Sequence, residues 1–189
     1  MQRVGLDDSA GLHQDGGIRT GGKLERNQIM SDRYAEERYN PTFAQCSKLS
    51  LHFDGTKLEM KGGSKDYSYP AASGKADNDG KFDYSSARQK LRREGPIPEG
   101  TYWIRPDEMW ENARYKFWAS TDSWGNYRIA IHPFTTTVTH GRGGFFIHGG
   151  KVLGSIGCID LTSHMNSFAS DLIREAGPRK CQIHLTVKY

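Results

Sequence analysis

The segment IHGGKVLGSIGCIDL, residues 147–161, places a histidine and a cysteine at the two ends of a glycine-rich loop. His148 precedes Cys158 by ten residues, and Gly157 lies directly before the cysteine. A thiol attacks a carbonyl only as the thiolate, so a nucleophilic cysteine needs a base nearby, which an imidazole can supply. Glycine permits a tight turn whose backbone N–H groups can face a developing oxyanion. The segment therefore predicts a cysteine nucleophile, its base and an oxyanion pocket in one stretch of chain.

Short alternating segments on both sides of this motif are typical of β-strands. Residues 48–53 and 57–60 alternate apolar and polar side chains around Asp54-Gly55, which predicts a β-hairpin. Further strands are predicted at residues 101–105, 115–120, 127–133, 144–148 and 181–187. Residues 163–176 have helical spacing and end at Gly177-Pro178, a helix stop. The prediction is a mainly β fold with one or two short helices, one of which follows Cys158.

Composition restricts the possible classes of protein. The chain has 189 residues, a net charge of +4 and a mean hydropathy of −0.73, which suit one domain with an extension. Residues 1–45 are polar and glycine-rich and are predicted to be a flexible extension for secretion or docking, while residues 46–189 form the candidate catalytic domain. No segment predicts a membrane span, and residues 1–30 lack the apolar region of a Sec signal peptide. No basic cluster interleaved with aromatics points to a nucleic acid partner.

The chain contains three cysteines, so at least one thiol is free. If Cys158 is the nucleophile, then Cys46 and Cys181 either form a disulfide or are two ordinary thiols. The sequence by itself favours ordinary thiols.

Two other features have a structural and a functional interpretation. His132, His140 and His148 are evenly spaced and resemble a three-histidine metal site, but Pro133 interrupts any single strand and no carboxylate motif supports it. No metal or cofactor is therefore expected. The four tryptophans can line a groove, although most tryptophans serve to pack the core. They are Trp103, Trp110, Trp118 and Trp124.

The motifs together resemble the L,D-transpeptidase family, in which a His-Gly pair precedes a Ser-His-Gly-Cys segment. Residues 147–149 and 155–161 carry this resemblance, and residues 95–104 are similar to an upstream strand of that family. The compact His-Gly-Gly spacing, with LHFDG at residues 51–55 and PAASG at residues 70–74, is most similar to the L,D-transpeptidase-like effectors of type VI secretion. The resemblance covers about residues 47–189.

This resemblance implies a β-rich sandwich or barrel that acts on peptidoglycan stem peptides. Cys158 would attack the diaminopimelate–D-alanine bond of a tetrapeptide stem and form a thioester, and His148 would activate the thiol. Water would then complete an L,D-carboxypeptidase reaction, or a D-amino acid would complete an exchange. Gly157, Ser155 and Gly149 would supply or support the oxyanion site.

This sequence differs from the housekeeping enzymes at two positions of the motif. Ile156 replaces a histidine and Asp160 replaces an arginine that can meet a substrate carboxylate. Substrate orientation is therefore expected to involve Arg142 or Lys151, with Asp160 as a further candidate. The short interval between His148 and Cys158 suggests an open groove.

The predicted biological role is that of an antibacterial effector. Such a protein is made in the cytoplasm without a Sec signal and acts in the periplasm of the target cell. Its expected partners are peptidoglycan stems, D-amino acids, a cognate immunity protein and a component of the secretion apparatus. Two alternatives remain open. One is another cell-wall cysteine endopeptidase, since His164 and His184 follow Cys158 in the chain. The other is a non-catalytic wall-binding module.

Overall fold

The strands in the described part of the chain form one continuous sheet. A computed structural model describes residues 40–112 and 121–189. Within these residues the strands are β1 (Gln45–Phe53), β2 (Lys57–Lys61), β3 (Tyr67–Pro70), β4 (Ala72–Ser73), β5 (Gly100–Ile104), β6 (Trp110–Glu111), β7 (Tyr127–Pro133), β8 (Phe145–His148), β9 (Ile159–Asp160) and β10 (Gln182–Val187). The α-helices in the same ranges are α1 (Ser86–Gln89), α2 (Thr121–Trp124) and α3 (Met165–Ala176), and short 3₁₀ helices occupy Pro106–Glu108 and Thr162–His164.

The order of the strands brings the two ends of the sheet together. The sheet runs β3-β2-β1-β10-β5-β7-β8-β9-β4, and β6 pairs with β7 outside this path. Since only Ala71 separates β3 from β4, the first and last strands of the sheet are consecutive in the chain, and the sheet is a nearly closed barrel. The pairs β1–β10 and β8–β9 are parallel, whereas the other paired strands are antiparallel. The predicted mainly β class is therefore confirmed.

The predicted hairpin is present as β1 and β2. The Asp54 carboxylate accepts hydrogen bonds from the backbone N–H groups of Thr56 (2.8 Å) and Lys57 (2.9 Å), and Gly55 has a φ of 92°. An aspartate that bonds its own turn, followed by a glycine at positive φ, is a local signal that does not depend on the rest of the fold. This is why the alternation of residues 48–60 was sufficient to predict the hairpin.

The ends of β1 and β10 are joined covalently. Cys46 and Cys181 form a disulfide with a Cα–Cα distance of 5.1 Å, and both residues are buried. The expectation that they are ordinary thiols is wrong. The parallel pairing of β1 with β10 brings these distant residues together, and nothing in the sequence near either cysteine indicates that pairing.

Helix α3 covers one side of the core. Its buried side chains are Met165, Phe168, Ala169, Leu172 and Ala176, and the helix ends at Gly177, whose φ is 67°. The prediction of a helix over residues 163–176 is confirmed, although its first residues form the 3₁₀ helix. On the outside, the Tyr69 hydroxyl donates to Asp171 (2.7 Å), and the Glu175 carboxylate accepts hydrogen bonds from Ser64 and Tyr67. These bonds tie α3 to the β2–β3 hairpin.

The remaining predicted strands near the site are also found. The segments predicted at residues 101–105, 127–133, 144–148 and 181–187 correspond to β5, β7, β8 and β10. The strand predicted at residues 115–120 and nearly all of the extension, residues 1–39, lie outside the described residues. In the ranges that are described, none of the helices is long and apolar enough to cross a membrane.

Candidate active site

Strands β8 and β9 bring the two ends of the glycine-rich loop side by side. They are parallel neighbours in which Ile147 pairs with Ile159 and His148 pairs with Asp160. Both isoleucines are fully buried in the core. Because side chains alternate along a strand, His148 and Asp160 face the other side of the sheet. Cys158 comes directly before β9, so the strand register places its backbone diagonally from that of His148.

The imidazole of His148 is held by the backbone of the next residue. Its Nδ1 lies 2.7 Å from the Gly149 carbonyl oxygen, and since a carbonyl can only accept, Nδ1 carries the proton. This leaves the lone pair on Nε2. Burial lowers the pKa of His148, although the Gly149 carbonyl and the Asp160 carboxylate oppose that shift. The side chain is therefore a neutral base at neutral pH.

Gly149 also fits its position tightly. A Cβ atom on this residue would lie 2.6 Å from the Thr162 carbonyl oxygen and 2.8 Å from Cβ of Met165. The end of β8 therefore approaches the start of α3 at a distance that only glycine allows. The same close approach fixes the carbonyl that orients His148.

Cys158 is the one cysteine of the chain outside the disulfide, and its side chain is buried. Its Sγ lies 3.9 Å from the Gly144 carbonyl oxygen. Burial raises the pKa of the thiol to about 12, while the Phe146 N–H and the charges of Arg142 and Arg128 act in the opposite direction. The thiol of Cys158 is therefore neutral at neutral pH.

Ser155 holds the turn that carries the thiol. Its hydroxyl donates to the Cys158 carbonyl (2.6 Å) and accepts from the N–H groups of Gly157 (3.2 Å) and Gly74 (3.3 Å). Gly157 has a φ of 132°, and a Cβ atom there would lie 2.6 Å from Nη2 of Arg142. The structure therefore gives Ser155 and Gly157 roles in shaping the turn, and the N–H of Gly157 is directed at Ser155.

Asp160 is buried and organises the loop from within. One carboxylate oxygen accepts from the Gly154 N–H (3.0 Å) and the other from the Thr162 N–H (2.8 Å). Burial raises its pKa, although these two hydrogen bonds and His148 oppose the shift. Asp160 thus faces His148 and backbone amides, and the structure does not bring it to the surface where a substrate would lie.

The two cations expected to orient substrate occupy different environments. The buried guanidinium of Arg142 donates to four carbonyls, those of Gln89 (2.5 Å), Pro96 (2.5 Å), Gly95 (2.7 Å) and Ile156 (3.4 Å). It therefore ties the loop before β5 to the turn before Cys158.

Lys151 is instead exposed, and its Nζ lies 2.8 Å from the Asp122 carboxylate. The Lys151 N–H also donates to the Asp122 carbonyl, so α2 is attached to the glycine-rich loop.

Arg128 is a residue near the site that carries no local sequence signal. It lies on β7 directly opposite His148, because β7 and β8 are antiparallel partners. Its guanidinium lies 3.9 Å from the ring centroid of Trp110 and 5.1 Å from that of Trp124. The Trp124 ring in turn lies 5.1 Å from the His148 ring. A polar position in an alternating strand is all that the sequence shows of Arg128, since its neighbours come from other elements of the fold.

The evenly spaced histidines do not assemble. His132 lies 2.6 Å from the Glu108 carboxylate and stacks on the buried Trp103. His148 is engaged by Gly149 as described above. Among residues 40–112 and 121–189, no group of three histidine, cysteine, aspartate or glutamate side chains is arranged to hold a metal ion.

The fold and the site define a mainly β domain in which a histidine ends one strand and a free cysteine comes directly before the parallel strand beside it. The family model of the Tlde1 domain matches residues 70–182, which is more than half of the chain, and the chain therefore belongs to the Tlde1 domain family. This is a family of type VI secretion effectors with an L,D-transpeptidase-like domain and peptidoglycan-related activity. The resemblance read from the sequence is thus confirmed at the level of the family.

Comparison with solved structures gives a weaker likeness. Bd1075 of Bdellovibrio bacteriovorus is 16% identical over 82% of this chain and 52% of that chain, with a TM-score of 0.46. The chain thus spans about half the length of that relative. No curated protein matches the sequence.

Proposed function

We propose that the protein is a peptidoglycan-modifying cysteine enzyme that acts on the diaminopimelate–D-alanine bond of tetrapeptide stems, as an L,D-carboxypeptidase or a D-amino-acid exchange enzyme. The observation that carries this proposal is that a free thiol, Cys158, comes directly before the strand that pairs with the strand of His148, whose Nδ1–H is bound by the Gly149 carbonyl. That bond leaves Nε2 able to take a proton, which is the property a general base requires.

The protonation states of the pair suggest how the reaction begins. Since the thiol of Cys158 and the imidazole of His148 are both neutral at rest, the proton passes to Nε2 as sulfur attacks the scissile carbonyl. The imidazolium is then stabilised by the nearby Asp160 carboxylate. We assign the oxyanion to the backbone N–H of Cys158, because the N–H of Gly157 donates to Ser155.

The second half of the reaction releases the enzyme. His148 returns its proton to the nitrogen of D-alanine as the carbon–nitrogen bond breaks, which leaves a thioester on Cys158. Attack by water regenerates the thiol and yields a tripeptide stem, whereas attack by the amine of a D-amino acid yields an exchanged stem. Both routes use the same base in the same position, so the supply of D-amino acid decides between them.

The family and the disulfide support the site of action that we propose, which is the periplasm of the target cell. A type VI effector that modifies peptidoglycan acts in the periplasm of the target cell, and an oxidising compartment maintains a bond such as Cys46–Cys181. We further propose two protein partners, an immunity protein that blocks the site and a component of the secretion apparatus that loads the effector.

Mass spectrometry of muropeptides tests the reaction. Purified protein is incubated with tetrapeptide-rich peptidoglycan, with and without a D-amino acid. We expect loss or replacement of the terminal D-alanine by the native protein, and no change with Cys158→Ala or His148→Ala.

His164→Ala and His184→Ala are matched controls, since both histidines are exposed and follow Cys158 in the chain. They should retain activity. Loss of activity in either, with His148→Ala active, would favour the other cysteine endopeptidase. Unchanged muropeptides with the folded native protein would favour a wall-binding module.

A further inference from the structure

A buried arginine lies against the turn that carries Cys158. Arg142 is only 5% exposed, and Nη2 of its guanidinium would lie 2.6 Å from a Cβ atom on Gly157. Its Nη1 would lie 3.1 Å from a Cβ atom on Gly95. The guanidinium therefore occupies a space that two glycines leave open, and one of these glycines directly precedes the thiol.

The guanidinium also fixes one peptide unit of that turn. Nη2 donates to the Ile156 carbonyl (3.4 Å), and the N–H of the same peptide unit, which belongs to Gly157, donates to the Ser155 hydroxyl (3.2 Å). Because a peptide unit is planar, hydrogen bonds at both of its ends set its orientation. The next peptide unit carries the N–H of Cys158, which is the oxyanion donor in the proposed reaction. Arg142 thus helps to set the direction of that donor.

The positive charge of Arg142 has carbonyl partners and no permanent counterion in the part of the chain that the structure describes. Its hydrogen bonds go to four backbone carbonyls. None of the ion pairs in the described ranges includes this residue. Carbonyl dipoles offset the cost of burying the charge but do not neutralise it. The charge therefore remains able to stabilise an anion that forms nearby.

Three groups close to Arg142 can become negatively charged, and they are Tyr102, Tyr189 and Cys158. The two tyrosine hydroxyls donate to carbonyls of the loop before β5 at 2.7 and 2.6 Å, and burial raises the pKa of both. Both tyrosines therefore stay neutral at neutral pH. In the proposed reaction, negative charge develops on the sulfur of Cys158 and then on the carbonyl oxygen that it attacks. The anion that Arg142 meets is thus the one that the reaction creates.

We propose that Arg142 is a positioning residue of the active site, which orients the N–H of Cys158 and stabilises with its charge the anion that forms there. This inference rests on the proposed function, in which Cys158 is the nucleophile. The other charged groups that act on the thiol are Asp160, which opposes ionisation, and Arg128, which favours it. The test therefore changes Arg142 and leaves those two residues in place.

Reactivity of the thiol tests the charge without any substrate. Cys158 is the cysteine outside the disulfide, so its rate of alkylation can be measured alone, between pH 7 and 9. Arg142→Gln removes the charge, whereas Arg142→Lys keeps the charge and loses the planar guanidinium. The matched control is Arg92→Gln, since Arg92 is exposed and donates to the Gly141 carbonyl (2.8 Å) beside Arg142.

Arg142→Gln should lower the alkylation rate about threefold to tenfold at each pH, because loss of a nearby positive charge raises the thiol pKa and lowers the thiolate fraction. Arg142→Lys and Arg92→Gln should stay close to the native rate. The ratio of the rates with anionic iodoacetate and neutral iodoacetamide should fall in Arg142→Gln alone, since the two reagents are similar in size and differ in charge. Equal losses in both Arg142 variants, or no loss in either, would overturn the proposal.

Urea denaturation shows whether each variant is folded. If Arg142→Gln does not fold, the native protein and Arg142→Lys carry the test. The ratio of iodoacetate to iodoacetamide rates at Cys158 should exceed that of free cysteine in both proteins, because both keep a cation beside the thiol. A ratio at or below that of free cysteine in either protein would overturn the proposal.

Muropeptide kinetics test the same residue in the reaction. Arg142→Gln should lower kcat for tetrapeptide hydrolysis by about tenfold to a hundredfold with little change in KM, since the lost stabilisation belongs to the transition state. Arg142→Lys should recover part of this loss, and an unchanged kcat in Arg142→Gln would overturn the positioning role. If the native protein leaves every muropeptide intact, the proposed reaction fails, whereas the alkylation rates still decide whether Arg142 acts on the thiol.

Discussion

Removal of the Cys46–Cys181 disulfide should destabilise the fold by several kilocalories per mole. The bond closes a loop of 135 residues, and the loss of chain entropy in the unfolded state then corresponds to about 5 kcal/mol at 25 °C. This is a large share of the 5–15 kcal/mol typical of a domain. The backbone pairing of β1 with β10 does not depend on the disulfide, so the reduced protein should keep the same fold. The loss should therefore be seen in the free energy of unfolding.

The measurement is urea denaturation followed by tryptophan fluorescence, since Trp103 is fully buried. It is made in the Cys158→Ala background, so that the disulfide is the only thiol chemistry present. Oxidised protein is compared with the same protein in reducing agent and with a Cys46→Ala/Cys181→Ala variant. The added reducing agent should leave that variant unchanged. A difference of less than about 1 kcal/mol between oxidised and reduced protein would refute the reasoning.

The same bond has a consequence for delivery. Thiols stay reduced in the cytoplasm and disulfides persist in the periplasm, so a protein delivered to the periplasm, as we propose for this one, should be less stable before export than after it. A protein that gains stability in the target compartment is easier to unfold or hold in the producing cell. The comparison of oxidised and reduced protein measures this difference directly.

Three further predictions concern the loop and the helix. The rate of alkylation of Cys158 by iodoacetamide should rise about tenfold per pH unit between pH 7 and 9, because burial raises the thiol pKa to about 12. A rate that reaches a plateau near neutral pH would contradict this. Gly157→Ala should cost about 1–3 kcal/mol in thermal or urea unfolding, more than Gly80→Ala, since Gly80 also has positive φ but open space around it. Hydrogen bonds from Ser64 and Tyr67 lower the pKa of Glu175 to about 2. The ionised carboxylate therefore stabilises the folded protein above pH 4.5, and this contribution is lost as the pH falls from there towards 2. Glu175→Gln should flatten the curve of unfolding free energy against pH in that interval.

The sequence predicted best where the determining contacts are local. The β1–β2 hairpin depends on Asp54 and Gly55, which act on their own turn, and α3 depends on apolar spacing and a glycine stop. The family resemblance carried by residues 147–161 was recognised for the same reason, since the glycines, Ser155 and Cys158 shape one continuous turn.

Roles that depend on distant partners were not predictable. Arg142 looked like a candidate for binding substrate, yet its donors are taken by carbonyls of residues 89–96 and by Ile156. The sequence does not show which group orients His148, and in the structure it is the Gly149 carbonyl. Each outcome depends on which atoms surround the side chain, and a residue type does not specify them.

The sequence by itself thus determined the mainly β class, the helix after Cys158 and membership of an L,D-transpeptidase-like effector family. These follow from periodicity, turn residues and a short motif, all of which act over a few neighbouring residues. Only the tertiary structure decided the Cys46–Cys181 bond, the buried role of Arg142 and the position of Arg128 opposite His148. Those features require strands far apart in the chain to pair in a particular order, and that order is a property of the whole sheet.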